Sequence, residues 1–133
     1  MKILATDMDG TFLDHLGAYD KARLENLLDA CEAKDYVFTV ASGRALLALE
    51  ELFDGFVNRI AIIAENGALV QYKGEVLFES KLEPKDYLEI ADTTLALPTC
   101  EGILLSGRRG AYAPNDADPA YLKAMERYYE NVM

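Results

Sequence analysis

The chain has 133 residues, of which 51% are hydrophobic and 27% charged, so it is long enough for one globular domain with its own core. Its 13 basic and 23 acidic residues give a net charge of −10, which argues against nucleic acid and anionic membranes as partners, because both require basic surfaces. Cys31 and Cys100 lack metal-type spacing, and no signal peptide or membrane-length apolar run is visible, so we expect a cytoplasmic protein.

The first predicted strand, Ile3 to Thr6, ends in two carboxylates one residue apart, Asp7 and Asp9. Side chains at i and i+2 share a face of a strand, so we expect these two acids to crowd together where the strand ends. Two neighbouring acids repel each other unless a cation lies between them or one of them holds a proton. The pair therefore suits a hard divalent metal ion and acid–base chemistry, although an ordinary Asp-Gly turn or helix cap contains the same residue types.

The next predicted elements alternate between helix and strand. Apolar side chains at helical spacing indicate a helix capped by Asp20: Leu24, Leu27, Leu28 and Cys31. The apolar runs 36–41 and 60–64 predict two buried strands, and a second helix is predicted between them over 44–53. Strands separated by helices predict βαβ units, and hence an α/β fold with a three-stranded parallel sheet.

The pattern changes after residue 67. The predicted elements there are a hairpin over 68–79, a helix over 84–95, a hairpin over 101–113 and a last helix from Pro119 to Val132. We expect the first of these helices to bury Tyr87, Ile90, Ala91 and Thr94. This mixture of hairpins and helices predicts a second unit of the α+β type.

Three segments carry a resemblance to a known family: Asp7-Met8-Asp9-Gly10-Thr11, Thr39–Arg44 and Ile62–Ala68. Their order and spacing are similar to the first motif, the second motif and the "ENGA" segment of Cof-type phosphatases in the haloacid dehalogenase (HAD) superfamily. The resemblance implies that residues 1–69 form the N-terminal half of a Rossmann-like hydrolase core with helices on the faces of its sheet. It also implies that residues 70–133 begin an inserted α+β cap domain of the C2 type.

By this resemblance, the reaction is the hydrolysis of a small phosphorylated metabolite, such as a sugar phosphate, with Mg²⁺ as cofactor. Asp7 is implied to be the nucleophile that becomes a phospho-aspartate. Asp9 is implied to protonate the leaving alcohol and then to activate water. Mg²⁺ is expected to bind the carboxylate of Asp7 and the backbone carbonyl of Asp9.

Four more residues are candidates for holding the phosphate or the substrate: Ser42, Gly43, Arg44 and Asn66. Ser42 offers a hydroxyl and a helix N-terminus, although a simple helix cap explains it equally well. Gly43 lets the backbone approach closely, Arg44 either binds substrate or faces solvent, and Asn66 is first of all a turn residue.

Other charged residues outside these motifs are weaker candidates. Arg108 and Arg109 form either a solvated hairpin tip or an anion contact made by the cap. His15 has no partner spacing that would indicate catalysis.

The family pattern is incomplete in these 133 residues. Members also need a lysine and a further acidic pair after the cap, and neither occurs here. We therefore expect about half of an active site, in a fragment, in a truncated gene product that is inactive alone, or in a half that assembles with another chain. In the family the first strand is flanked on both sides, so its exposed edge predicts self-association.

Two other functional classes stay open at this point. One is a non-catalytic remnant of the family that binds metal or phosphate weakly. The other is a receiver-like phospho-acceptor domain, which also gathers aspartates at strand ends. A receiver domain should carry its phosphorylated aspartate after the third strand, where this chain has Glu65 and Asn66 instead.

Overall fold

Five strands form one sheet in the first part of the chain. In order across the sheet they are β1 (Lys2–Asp7), β2 (Tyr36–Ala41), β3 (Ala61–Ala64), β4 (Leu69–Tyr72) and β5 (Glu75–Glu79). The first three strands are parallel, which confirms the predicted α/β class, whereas β4 and β5 are antiparallel additions. Parallel neighbours need crossover connections, and helices α1 (Lys21–Ala33) and α2 (Leu46–Leu52) provide them.

The computed structural model describes residues 1–126, 128–129 and 132–133. These residues form two units, Met1–Glu79 and Ser80–Met133. The first unit extends past the boundary expected after residue 69, because β4 pairs with β3 and continues the same sheet. A hairpin signal in the sequence is local and does not indicate which sheet the hairpin joins. Among the described residues, no helix is long and apolar enough to cross a membrane.

Helix α1 buries the face that the spacing of its apolar residues predicts. Leu24, Leu28 and Cys31 are buried, one helical turn apart along one face. The helix begins after Asp20, whose carboxylate accepts a hydrogen bond from the N–H of Arg23 at 3.0 Å. Truncating a buried leucine such as Leu28 to alanine typically costs about 2–5 kcal/mol of the free energy of unfolding.

The rest of this core comes from both helices, from β2 and β3, and from the turn after β1. Its largest fully buried side chains are Met8, Leu24, Leu28, Val40, Leu49, Phe53, Ile60 and Ile62. Strand β1 is different, since nearly all of its residues are exposed, including Ile3 (65%) and Leu4 (41%). Its only strand partner among the described residues is β2, so β1 is an edge strand of the sheet.

The second unit contains fewer and shorter elements. They are α3 (Pro84–Leu95), β6 (Leu105–Gly107), β7 (Gly110–Tyr112) and α4 (Pro119–Met125). In α3, Ala91 is buried as expected, but Ile90 is half exposed, so the prediction that Ile90 is buried is wrong.

The last predicted helix is shorter than its apolar pattern indicates. Helix α4 ends at Met125, and Val132 instead forms a parallel bridge with Ala111. Met133 continues this pairing, because its N–H donates to the carbonyl of Ala111 at 2.8 Å. The bridge satisfies backbone groups that a longer helix would have used internally. Residues 127, 130 and 131, which the prediction included in this helix, lie outside the described residues.

Candidate active site

Asp7 and Asp9 lie at the carboxyl end of β1. Asp7 is the last residue of the strand and pairs in register with Ala41 of β2. Met8 is completely buried, whereas Asp7 and Asp9 on either side of it are exposed, as the alternation of a strand predicts. The chain then makes a wide turn over Met8–Phe12, in which the N–H of Leu13 donates to the carbonyl of Met8 at 2.9 Å. Gly10, with φ of 75°, supplies the left-handed backbone that this turn requires.

The two carboxylates have different surroundings. Among the described residues, the carboxylate of Asp7 makes no hydrogen bond and no ion pair, so its oxygens are open to solvent or to a ligand. The carboxylate of Asp9 is bound side-on by Arg44, whose Nε donates to Oδ2 at 3.0 Å and whose Nη2 donates to Oδ1 at 2.6 Å. One acid is thus accessible while its neighbour is oriented by a guanidinium group.

One of the two expectations for Arg44 was that it faces solvent, and this expectation is wrong. Its side chain is only 10% exposed, against 40% for Asp9. A forked pair of charge-assisted hydrogen bonds fixes both the distance and the plane of the carboxylate. The contact joins residues 35 positions apart. No local sequence signal indicates it, and sequence reasoning did not anticipate it.

Ser42 follows β2 and is oriented by the backbone around it. Its N–H donates to the carbonyl of Ile63 at 2.9 Å, and its Oγ accepts from the N–H of Arg44 at 3.1 Å. Helix α2 begins only at Leu46, after Ala45 in an extended conformation, so the expected helix N-terminus at Ser42 is wrong, and so is its role as the cap. The carbonyls of Ser42 and Arg44 accept hydrogen bonds from the N–H groups of Asn66 and Glu65, so they do not accept the bonds of a first helical turn.

Asn66 belongs to a turn that packs against Ser42–Arg44. Glu65, Asn66 and Gly67 all have positive φ, at 52°, 54° and 96°. The N–H of Asn66 donates to the carbonyl of Ser42 at 3.1 Å, and the N–H of Glu65 donates to that of Arg44 at 3.0 Å. Left-handed backbone costs free energy at residues other than glycine, so these two contacts help to hold a strained turn in place.

Gly43 is required by the close approach of this turn. A Cβ atom at position 43 would lie 2.9 Å from Oδ1 of Asn66 and 3.2 Å from its Nδ2. Any larger residue at this position would displace the Asn66 side chain. The close approach expected at Gly43 is thus made by the side chain of Asn66.

The candidate residues from the sequence converge on one edge of the sheet. Asp7 ends β1, Ser42 follows β2, and Asn66 follows β3, so all three lie at the carboxyl ends of parallel strands. In α/β proteins with open sheets, ligands bind outside these strand ends. Arg108 and Arg109 belong to the other unit, at the turn between β6 and β7.

His15 lies on an exposed loop after the wide turn. The preceding residue, Asp14, organises that loop, because its Oδ1 accepts from the N–H groups of Leu16 at 2.8 Å and Ala18 at 2.9 Å. These hydrogen bonds, the one from Ala18 most of all, hold the pKa of the Asp14 carboxyl below its ordinary value of 3.8.

The donor set for a divalent metal at this edge is small. The described residues contain no group of three or more histidine, cysteine, aspartate and glutamate side chains suited to hold a metal ion. What is available is the open carboxylate of Asp7 together with nearby backbone carbonyls such as that of Asp9. Mg²⁺ keeps several of its waters and commonly relies on one or two carboxylates plus a substrate phosphate, so these residues fit Mg²⁺ better than a metal that needs a protein cage.

Comparison with known proteins identifies the family. Residues 4–133 match the sequence model of the haloacid dehalogenase-like hydrolases. Over 132 residues the chain is 32% identical to the Escherichia coli K12 protein named 5-amino-6-(5-phospho-D-ribitylamino)uracil phosphatase YbjI, a match that covers 99% of this chain and 48% of that protein.

Solved structures share the fold of this chain. The SMU.1108c protein of Streptococcus mutans UA159 superposes with a TM-score of 0.88 at 29% identity, over 98% of this chain and 49% of that one. A haloacid dehalogenase-like hydrolase of Bacillus subtilis has the same fold, with a TM-score of 0.72 at 21% identity over 93% of this chain and 42% of its own. The chain therefore spans about half the length of the relatives it matches. With its family match and its α/β sheet, the chain belongs to the haloacid dehalogenase-like hydrolases.

Proposed function

We propose that this chain carries the nucleophile and the acid–base residue of a Mg²⁺-dependent phosphomonoester hydrolase. The observation that supports this most directly is the contrast between the two acids at the end of β1. Asp7 has open carboxylate oxygens, and Asp9, two residues later, is held by Arg44. A nucleophile needs accessible oxygens, whereas an acid–base residue needs a defined orientation.

The proposed reaction has two steps. An oxygen of Asp7 attacks phosphorus, the bond to the leaving oxygen breaks, and Asp9 gives its proton to the leaving alcohol. Water then attacks the phosphorus of the phospho-aspartate, Asp9 takes a proton from that water, and inorganic phosphate leaves as Asp7 is restored. Bound Mg²⁺ would supply positive charge that lets the Asp7 carboxylate approach an anionic phosphate. Ser42, Gly43 and Asn66 line the same strand ends and are proposed to hold the phosphate.

The proposed substrate is a small phosphorylated metabolite. The name of the YbjI protein describes a phosphorylated ribityl compound, and another structural relative, BT4131, is described as a sugar phosphatase. We also propose that the second unit, Ser80–Met133, is the beginning of the cap domain expected for residues 70–133, and that the 133-residue chain alone is a weak enzyme. Asp7 gives Mg²⁺ one side-chain carboxylate here, and the relatives are about twice as long. The cytoplasmic location stays a prediction.

Trapping the covalent intermediate tests this proposal without requiring fast turnover. The purified chain is incubated with an aryl phosphate and Mg²⁺, quenched in acid and analysed by mass spectrometry. We expect a phosphoryl group on the peptide that contains Asp7, and none in the Asp7→Asn variant, because an amide is a very poor nucleophile. Asp54→Asn, at an exposed acid that follows α2, is the matched control and should be labelled like the wild type.

The outcome also separates the alternatives. Binding of phosphate or metal with no label on Asp7 would favour the non-catalytic remnant. Label on a different residue would remove Asp7 from the nucleophile role. The receiver-like alternative has no support, since residues 4–133 match the hydrolase family.

A further inference from the structure

The backbone of Arg44 is held by hydrogen bonds at both its N–H and its carbonyl group. Besides its fork to Asp9, its N–H donates to Oγ of Ser42 at 3.1 Å and its carbonyl accepts from the N–H of Glu65 at 3.0 Å. Asp9 lies on the wide turn after β1, next to Gly10 at φ of 75°, and its side chain is 40% exposed. The Asp9 side chain is the more exposed of the two, at 40% against 10% for Arg44, so it has solvent into which it can turn.

The fork occupies the Asp9 oxygens that the proposed reaction needs. Nε of Arg44 donates to Oδ2 of Asp9 and Nη2 donates to Oδ1, so both oxygens face the guanidinium. Each oxygen keeps a second acceptor site outside the fork, but the fork holds the carboxylate in one plane, so Asp9 can reorient toward a leaving group or water only by turning away from Arg44. When Asp9 turns away, the guanidinium of Arg44 gives up two charge-assisted hydrogen bonds, and another anion can take the place of the carboxylate.

A phosphate group has the chemistry to replace it. Two oxygens of a phosphate match the planar N–H fork of arginine in the same way as the two oxygens of a carboxylate. The accessible carboxylate of Asp7 and the hydroxyl of Ser42 lie at the same edge of the sheet, where a phosphate bound for attack would lie.

We propose that Arg44 is a positioning residue that exchanges partners: it holds Asp9 in the absence of phosphate and releases Asp9 when a phosphate takes its place in the fork. This inference rests on the proposed function and adds a coupling to it. Asp9 and phosphate compete for Arg44, so that Asp9 becomes mobile only when a phosphate has bound.

A double-mutant cycle tests the competition by calorimetric titration with inorganic phosphate, at one fixed pH and without Mg²⁺. The proteins are the wild type, Asp9→Asn, Arg44→Gln and the double variant. If Asp9 competes for Arg44, Asp9→Asn should strengthen phosphate binding by about tenfold or more in the wild-type background, the worth of about one charge-assisted hydrogen bond. In the Arg44→Gln background the same substitution should change phosphate affinity less than about threefold.

Simple repulsion between Asp9 and phosphate predicts a different pattern, with equal gains in both backgrounds. Equal gains, or no phosphate binding by the wild-type chain, would overturn the proposal. Arg59→Gln is the matched control, because Arg59 is also paired with two acids, Asp29 at 2.7 Å and Glu32 at 2.8 Å, but lies at the amino end of β3. It should leave phosphate affinity unchanged.

A spectroscopic readout separates partner exchange from a purely structural role of Arg44. The side-chain Nε–H resonance of Arg44 and the carboxyl carbon resonance of Asp9 should shift together along one phosphate titration curve. A static pair predicts that the Asp9 signal stays where it is. Neither measurement needs turnover. The absence of a phosphoryl label on Asp7 would therefore refute the proposed function, whereas the partner exchange is decided by the titrations alone.

Discussion

Asn66 packs on Gly43 so closely that no side chain fits between them. A Cβ atom at position 43 would lie 2.9 Å from Oδ1 of Asn66, and the backbone of Asn66 is itself bound to the carbonyl of Ser42. The segment after β2 and the turn after β3 thus form one interlocked structure at the proposed phosphate site.

We expect Gly43→Ala to destabilise the protein by at most about 1 kcal/mol in urea unfolding, because the atoms it meets belong to the end of the exposed Asn66 side chain, which can turn away at a cost. Asn66→Gly in the same chain should recover most of that loss, because it removes the obstructing side chain and glycine accepts the φ of 54° at this position. If the double variant is as unstable as the sum of the two single variants, the side-chain contact is not the cause.

The 133-residue chain should hydrolyse aryl phosphates slowly even with saturating Mg²⁺. One open side-chain carboxylate holds the metal weakly, and loss of an electrostatic group from an active site often costs about 10²–10³ in rate. Steady-state assays over a range of Mg²⁺ concentrations measure this, with Asp7→Asn as the background. Rates well within the usual range for enzymes, about 1–10³ s⁻¹, would show that another group completes the site.

Strand β1 should mediate self-association. Its outer edge has no strand partner among the described residues, and Ile3 is 65% exposed. Unprotected apolar edges pair with a second copy of the chain, so light scattering should give a mass that rises with concentration. Ile3→Lys should lower that mass, whereas Ile90→Lys, at a residue 50% exposed on α3, serves as the control and should not. A strictly monomeric wild type at every concentration would contradict this prediction.

The loop at Asp14 should loosen in acid. Hydrogen bonds from Ala18 and Leu16 lower the pKa of Asp14, so the ionised form stabilises the loop at pH values above the ordinary pKa of 3.8. That stabilisation is lost as the pH falls through the lowered pKa. The protection factors of the Leu16 and Ala18 amides, which correct the exchange rate for its intrinsic pH dependence, should fall there, and Asp14→Ala should show low protection already at neutral pH. Equal exchange in both proteins at neutral pH would remove Asp14 from this role.

The sequence predicts the fold well where a signal is local and repeated. The apolar runs and the helical spacing of Leu24 and Leu28 led to the parallel sheet and to α1, and the order of three motifs led to the family. The predicted start of α2 was wrong because the carbonyls of Ser42 and Arg44 accept hydrogen bonds from the turn after β3, in competition with a first helical turn. Such competition depends on geometry that residue types alone do not fix.

Within the candidate site, the contacts between residues could not be predicted from the sequence, and the membership of the site stays a prediction. The sequence made Arg44 a candidate for holding phosphate but gave no indication that it pairs with Asp9. A side-chain pair between residues 35 positions apart depends on how two strand ends are placed. The sequence also gave no indication that Glu65 takes a positive φ, since glutamate has no preference for that conformation.

Met8 gives the two acids a shared mechanical support. Its side chain is completely buried among core residues, while the residues on either side carry the proposed chemistry. A change in the volume of the Met8 side chain would therefore act on the backbone that carries both acids. Position 8 is therefore constrained twice, because its side chain must fill the core and its backbone must carry the proposed active-site acids on either side.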